Sequence, residues 1–211
     1  LIAHLMVWSR HFHTHPPQAA FWREFLSLPH ATEALRAMRA TGFLAVILPE
    51  GERIDHLVVR DFYHQYTVDE HTLVTLDVIA GLAESKEPAE KRFAELMEES
   101  SEHLWILRLA LLLHDIGKGS GRDHSQEAVR LAKAFLERIG ADELDAEFVL
   151  FLIDKHLVIS ATLQSRDLAD PATAAALTQT VKTVERLRLL TLLTFADVSG
   201  VNSTAMTPWR M

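Results

Sequence analysis

One apolar stretch of the sequence ends abruptly in polar residues, since positions 109–119 read LALLLHDIGKG. Five aliphatic side chains are followed directly by His114 and Asp115, and then by Gly117 and Lys118. Neighbouring residues on an α-helix point about 100° apart, so this His-Asp pair can converge on one ion only where the helix loosens. A glycine just beyond the pair permits such a loosened end. The stretch therefore predicts a pair of metal ligands at the edge of the hydrophobic core.

Composition indicates a globular domain with a sizeable core. The chain has 211 residues, of which 48% are hydrophobic and 24% charged. Its 29 acidic and 21 basic residues give a net charge of -8, which argues against a nucleic-acid or anionic-membrane surface. The absence of cysteine excludes disulfides, thiolate zinc sites and cysteine nucleophiles, and is compatible with the reducing cytoplasm. Because the chain begins at Leu1, we expect it to be a piece of a longer polypeptide.

No apolar stretch is long enough to cross a bilayer. The best candidate, residues 104–113, is about half the necessary length and is interrupted by Arg108. We therefore expect neither membrane insertion nor a membrane partner.

Apolar residues recur at helical spacing along most of the chain, and no run alternates as a strand would. We predict helices at 18–28, 30–40, 89–99, 104–113 and 143–156. Three more are predicted by one bound only: one begins at 67, one ends at 138 and one ends at 196. The predicted fold class is all-α, a helical bundle. Residues 1–42 are expected to form an N-terminal helical or linker segment, with 1–17 as a linker or frayed end, and 43–211 the main domain. The short apolar run at 43–48 is expected to be an extended link, with a strand as the alternative.

Several residues have the types and spacing of helix caps. Thr67 and Glu70 have the spacing of a capping box, Asp123 or Ser125 is a candidate N-cap of the helix that ends at 138, and Asp170 stands where another N-cap is expected. Near the start of the chain, histidines occupy alternate positions 11, 13 and 15. They would share one face of an extended segment and could hold a metal there, although a plain linker is the favoured interpretation because no carboxylate stands nearby.

Two further polar residues fall on predicted buried faces. His71 shares its face with the valines that follow it, and Asp197 continues a stripe of leucines. A buried carboxylate is costly unless it is paired or binds a cation. His71, His114, Asp115 and Asp197 could satisfy one another around a divalent metal, and this mixture of imidazole and carboxylate donors suits manganese, iron, zinc, nickel or magnesium.

The order of these four residues resembles the HD superfamily of metal-dependent phosphohydrolases. Within that superfamily, longer segments of the sequence resemble the branch that removes uridylyl groups from the PII signalling protein. The similar segments are DFYHQYTVDEHTL (61–73), LLLHDIGKG (111–119), GRDHS (121–125), SRDLADP (165–171) and FAD (195–197), in the family's order. The resemblance spans residues 23–209 and implies the HD-domain helical bundle. The nucleotidyltransferase and ACT domains of that branch are missing from this chain.

The resemblance implies a ligand set and a cofactor. His71, His114, Asp115 and Asp197 match the four ligands of a divalent metal, with manganese or magnesium expected first and iron, nickel or zinc as alternatives. The chain departs from the family in two places, of which the first bears on a second ion. Lys155 stands where the family usually has the first of two histidines, which removes one ligand of a second ion. Ala128 replaces the glycine that usually follows the His-Ser pair.

The resemblance also implies roles in catalysis. Asp115 would orient the attacking water and act as base, while Lys118 and Arg166 would bind phosphate. His124 and His156 match histidines that hold a second metal in some HD enzymes, and either could instead donate a proton. The candidate catalytic residues are therefore Asp115, Lys118 and His124.

The implied reaction is phosphodiester hydrolysis that removes UMP from uridylylated PII, with PII as the protein partner and no nucleic acid. Two alternatives remain open. The chain could be an HD phosphohydrolase acting on a free nucleotide or a cyclic dinucleotide, or a non-catalytic helical module for regulation or dimerisation.

Overall fold

The computed structural model describes residues 2–59 and 66–201, and side chains from residue 5 onward. The predictions that concern 61–65 and the end of the resemblance at 209 lie outside these ranges. Within them the chain forms α1 (Ile2–Thr14), α2 (Ala19–Ser27), α3 (Ala31–Ala40), α4 (Phe43–Ile47), α5 (Val68–Leu82), α6 (Lys91–Glu99), α7 (Leu104–Leu113), α8 (His124–Arg138), α9 (Glu143–Lys155), α10 (Val158–Ser165), α11 (Pro171–Val181) and α12 (Val184–Val201). Two short 3-10 helices lie at Pro49–Ile54 and Ser101–His103. The described ranges contain no strand, so the all-α prediction is confirmed.

Helix α7 lies at the centre of the bundle. It is apolar on nearly all sides, and every residue in it except Leu104 and Arg108 is buried. A helix with this composition must be surrounded by other elements, and α2, α5, α9 and α12 all pack against it. Helix α12 also packs along α5. His114, directly after α7, lies close to His71 in the first turn of α5 and to Asp197 in the last turns of α12. Among the helices described, none combines the length and hydropathy needed to traverse a bilayer.

The N-terminal region is more regular than predicted. Residues 2–14 form α1 rather than a linker, and 43–47 form the short helix α4 rather than an extended link. The two helices pack together: Trp8 and Phe12 meet the ring of Phe43 edge-on, with centroids 5.3 and 5.7 Å away. A five-residue apolar run is too short for its periodicity to reveal a helix. This segment packs against α1, which is distant from it in sequence.

The helical form of α1 also changes the arrangement of its histidines. Residues two apart lie on different sides of a helix, so His11 and His13 do not share the face expected of an extended segment. His11 instead stacks on His15, with ring centroids 5.0 Å apart.

The predicted caps have different outcomes. The Thr67 side chain caps no backbone group of α5, and Glu70 instead forms ion pairs with Arg36 and Arg39 of α3. The capping-box prediction is therefore wrong, because two arginines from another helix engage the carboxylate that the box requires. The predictions for Asp123 and Asp170 are confirmed. Asp123 accepts from the Gln126 N–H group at 3.0 Å, and Asp170 accepts from the Ala172 N–H group at 2.9 Å.

The division of the chain at residue 42 stays a prediction, and the burial of Trp22 allows a direct test. Trp22 of α2 is fully buried and meets Phe135 of α8 edge-on at 5.3 Å. We expect Trp22→Ala to lower the free energy of unfolding by about 3–5 kcal/mol. Trp8→Ala, at a site that is 44% exposed, is the matched control and should cost about 1 kcal/mol or less. Urea unfolding measures both, and a loss for Trp22→Ala of about 1 kcal/mol or less, as for an exposed site, would mean that α2 contributes little to the main core.

Candidate metal centre

The four predicted ligands converge from three helices. His71 lies in the first turn of α5, His114 and Asp115 directly follow α7, and Asp197 lies in the last turns of α12. Nε2 of His71 is 2.9 Å from Oδ1 of Asp197 and 3.9 Å from Oδ2 of Asp115. Nε2 of His114 is 3.6 Å and 3.4 Å from the same two oxygens. Two imidazole nitrogens and two carboxylate oxygens therefore surround one point.

Backbone carbonyls orient both histidines. The Nδ1–H group of His71 donates to the carbonyl of Gly200 at 3.2 Å, and that of His114 donates to the carbonyl of Leu111 at 2.7 Å. Each ring thus turns its Nε2 atom toward the centre, which is the usual way in which a protein presents a histidine to a metal. At Gly200 a Cβ atom would lie 2.9 Å from Thr75 and 3.3 Å from the His71 ring, so the close approach of α12 needs a glycine.

The buried polar atoms of the centre fit a cation. Nε2 of His114 is inaccessible to solvent and forms no hydrogen bond of normal geometry. Oδ2 of Asp115 is equally buried and lies 2.6 Å from the ammonium of Lys118. Leaving a buried polar atom unsatisfied costs about 1–3 kcal/mol. A divalent metal that accepts imidazole nitrogen and carboxylate oxygen would coordinate both atoms. The residues present therefore suit such an ion.

A second group of potential ligands adjoins the first. Ligand atoms of Asp115, His124 and His156 lie within 4.8 Å of one another. His156 directly follows α9 as His114 follows α7, and its Nδ1–H group likewise donates to the carbonyl three residues back, Ile153, at 2.6 Å. Sequence reasoning missed this repeated arrangement. The signal that could have revealed it is a histidine placed immediately after an apolar helix in both cases.

Gly117 allows α8 to approach the centre. A Cβ atom at this position would lie 2.1 Å from the carbonyl oxygen of His124 and 2.5 Å from the backbone nitrogen of Ala128. The first turn of α8 thus rests on the backbone of the loop, which holds His124 next to Asp115. The glycine was predicted to let the chain turn, whereas its structural importance lies in this close approach.

Comparisons with known proteins agree with this geometry. The HD-domain family model matches residues 68–193, more than half of the chain. This chain belongs to the HD-domain family. The matched range contains His71, His114 and Asp115 and stops before Asp197. Family membership implies a divalent metal, in keeping with the grouping of His71, His114 and Asp115 as potential ligands.

Curated relatives of the HD domain are longer proteins. The chain is 37% identical over 177 residues to a protein of Ruegeria pomeroyi, covering 84% of this chain and 20% of that one. It is 36% identical over 202 residues to a protein of Thiobacillus denitrificans (95% and 24%) and 34% identical over 211 residues to one of Bordetella avium (97% and 25%). Each is named a bifunctional uridylyltransferase/uridylyl-removing enzyme. The chain spans a quarter or less of their length.

The two predicted phosphate-binding residues occupy different surroundings. Nζ of Lys118 lies 2.6 Å from Oδ2 of Asp115, and its side chain is only 19% exposed. Arg166 is exposed just after α10, and across the described ranges no hydrogen bond or ion pair links its side chain to the centre. Lys155 pairs with Asp154 at 2.7 Å. The phosphate roles of Lys118 and Arg166 stay predictions.

Charges within the HD domain shift the titration of its ligands. Burial alone would lower the pKa of His114, but the carboxylates of Asp115 and Asp197 outweigh it and raise that pKa to about 9. Burial opposes ionisation of Asp197, yet His114 and His71 hold its pKa well below the ordinary range. For His156, burial and the neighbouring charge of His114 lower the pKa. Without a metal, His114 is therefore protonated at neutral pH and His156 is neutral.

Metal binding should consequently release a proton. With the His114 pKa at about 9, Nε2 must lose its proton before it can bind a metal at pH 7.5. We expect release of about one proton per ion, and metal affinity that rises about tenfold per pH unit up to pH 9. Calorimetry in buffers of different ionisation enthalpy measures this number. His13→Gln, an exposed control, should leave it unchanged, and release of no proton would contradict the expectation.

Proposed function

We propose that this HD domain is a metal-dependent phosphodiesterase that removes UMP from uridylylated PII. The observation that carries the proposal is the convergence of two imidazole nitrogens, from His71 and His114, and two carboxylate oxygens, from Asp115 and Asp197, on one buried point. The 34–37% identity to enzymes whose name includes uridylyl removal favours this substrate over other phosphodiesters. We propose manganese or magnesium as the metal, with iron, nickel or zinc as alternatives.

Different residues of the chain would bind the metal, activate the water and bind the phosphate. His71, His114, Asp115 and Asp197 would hold a divalent metal, which when bound supplies Lewis acidity and an acidified water. Asp115 orients the attacking water and accepts its proton. Lys118 neutralises the charge of the phosphate, with Arg166 as a second candidate. The resemblance implies that the UMP is bonded to a tyrosine of PII. The leaving phenolate has a pKa of about 10 and needs less proton donation than an alkoxide would.

The surroundings of the two further histidines favour different roles. His156 is almost fully buried and its pKa is lowered, so it is suited to be a neutral ligand or hydrogen-bond acceptor rather than an acid. His124 is partly exposed in the first turn of α8, where it can exchange protons with solvent. We therefore favour His124 as the proton donor and His156 as a ligand if a second ion binds.

The proposed setting is a longer cytoplasmic enzyme. Because the chain covers a quarter or less of its relatives, we propose that nucleotidyltransferase and ACT domains accompany it, and that PII is the protein partner. The net charge of -8 gives no reason to propose a nucleic acid or a membrane as a further partner.

The test uses the full-length protein that carries this domain. Metal content is measured on the purified protein, and UMP release from uridylylated PII is followed with added Mn²⁺. Metal bound in stoichiometric amount together with UMP release supports the proposal. Absence of both would overturn it in favour of a non-catalytic module. Turnover of free nucleotides or cyclic dinucleotides without release of UMP from PII would overturn the substrate.

A further inference from the structure

Oδ2 of Asp115 lies close both to the two histidines that would hold a metal and to the ammonium group of Lys118. Oδ2 of Asp115 lies 3.4 Å from Nε2 of His114 and 3.9 Å from Nε2 of His71, and the same oxygen lies 2.6 Å from Nζ of Lys118. A metal held by the two histidines and Asp115 would draw on the electron pairs of this oxygen. The Lys118 ammonium therefore occupies an oxygen that the metal also needs.

We propose that Lys118 is an internal counter-ion of Asp115, which a divalent metal displaces and thereby makes available to a phosphate. The proposal deepens the phosphodiesterase function and rests on it for the identity of the phosphate. It assigns Lys118 two partners in succession. The metal-free centre holds the ammonium on Asp115, and the loaded centre releases it toward the substrate.

Burial explains why Lys118 pairs with Asp115 in the first place. Asp115 is 2% exposed, and a buried carboxylate without a nearby cation is strongly unfavourable. Asp115 and Asp197 together contribute two negative charges beside one another. A divalent ion balances both, so the positive charge of Lys118 becomes surplus in the loaded centre. An arriving phosphate then supplies the anion that this surplus charge attracts.

The backbone on either side of Lys118 restricts the change to its side chain. Gly117 rests against α8, and Gly119 has a φ of +74°, with room too small for a side chain because a Cβ atom there would lie 2.8 Å from the side chain of Leu57. The Lys118 N–H group donates to the carbonyl of Asp115 at 3.0 Å, which closes the turn. The flexible four-carbon chain of lysine can still rotate. Displacement thus needs no movement of the loop.

Lys118→Met in the full-length protein tests the displacement, because methionine keeps most of the length of the side chain without its charge. The competitor of the metal is lost, so we expect Mn²⁺ affinity to rise by about tenfold or more. The melting temperature should fall in the metal-free protein and recover when Mn²⁺ is added. Lys133→Met, at an exposed lysine on α8, is the matched control and should change neither quantity. Unchanged or weaker Mn²⁺ binding by Lys118→Met would overturn the competition.

The phosphate half of the proposal has its own measurement. Binding of UMP to the Mn²⁺-loaded protein should weaken about tenfold in Lys118→Met, as expected for loss of one charge-assisted contact. Lys118→Arg should retain most of the UMP affinity, and unchanged UMP binding in Lys118→Met would overturn the phosphate role. Neither measurement requires turnover. Failure of this inference is therefore distinguishable from failure to hydrolyse uridylylated PII.

Discussion

Asp115→Asn is expected to abolish metal binding and to reduce hydrolysis by about a thousandfold or more, because one substitution removes a ligand and the proposed base. The amide has nearly the shape of the carboxylate but carries no charge. It cannot balance a divalent ion, nor accept the proton of the attacking water. Asp115 is also the residue common to both groups of potential ligands. No other single side chain of the centre should have a comparable effect.

The measurements for Asp115→Asn are metal content, UMP release and the melting temperature of the metal-free protein. Asp77→Asn provides the control, since Asp77 lies on α5 with a side chain that is 47% exposed and pairs with Arg36. It should retain metal and turnover. Turnover of Asp115→Asn within about tenfold of the unmodified protein, outside the range associated with loss of a general base, would show that the centre has been assigned wrongly.

Gly117→Ala is expected to have a large effect on stability and on the centre together, through a steric contact rather than through loss of a chemical group. The added methyl group would lie 2.1 Å from the carbonyl oxygen of His124 and 2.5 Å from the nitrogen of Ala128. Both are backbone atoms, so no side-chain rotation can relieve the contact and the first turn of α8 must move away. We expect a loss of about 3 kcal/mol or more in the free energy of unfolding, at the upper end of overpacking costs. His124 should also lose its position beside Asp115.

Gly81→Ala is a closely matched control for Gly117→Ala. Gly81 lies within α5, and a Cβ atom there would meet nothing within 4 Å. Alanine has the higher helix propensity by about 1 kcal/mol, so this substitution should leave stability unchanged or raise it. Urea unfolding compares the two variants. An unchanged midpoint for Gly117→Ala would mean that the loop can adapt to a side chain, contrary to the packing seen here.

The places where sequence reasoning succeeded share a local cause. Apolar spacing reflects which side of a helix is buried, so α7 and the all-α class could be read directly. His114 and Asp115 were expected at a loosened helix end, and α7 does end at Leu113, immediately before them. His71 and Asp197 were singled out because each continues an apolar stripe. The structure brings all four together, while their roles as ligands stay predictions.

The failures involve contacts between residues far apart in the chain. Glu70 forms no capping box with Thr67 and instead pairs with Arg36 and Arg39, more than thirty positions away. Helix α4 packs against α1, and the ring of His71 is oriented by the carbonyl of Gly200, 129 positions away. No local pattern encodes which of several partners a carboxylate or a ring nitrogen will meet.

By itself the sequence determined the fold class, the buried faces and the candidate ligands, because burial and helix periodicity are properties of neighbouring residues. Tertiary structure alone decided that α8 rests on Gly117, that Nε2 of each ligand histidine faces inward, and that Lys118 engages the oxygen a metal would need. The physical reason is that hydrogen bonds and ion pairs act only over a few ångströms. They are set when distant segments come together.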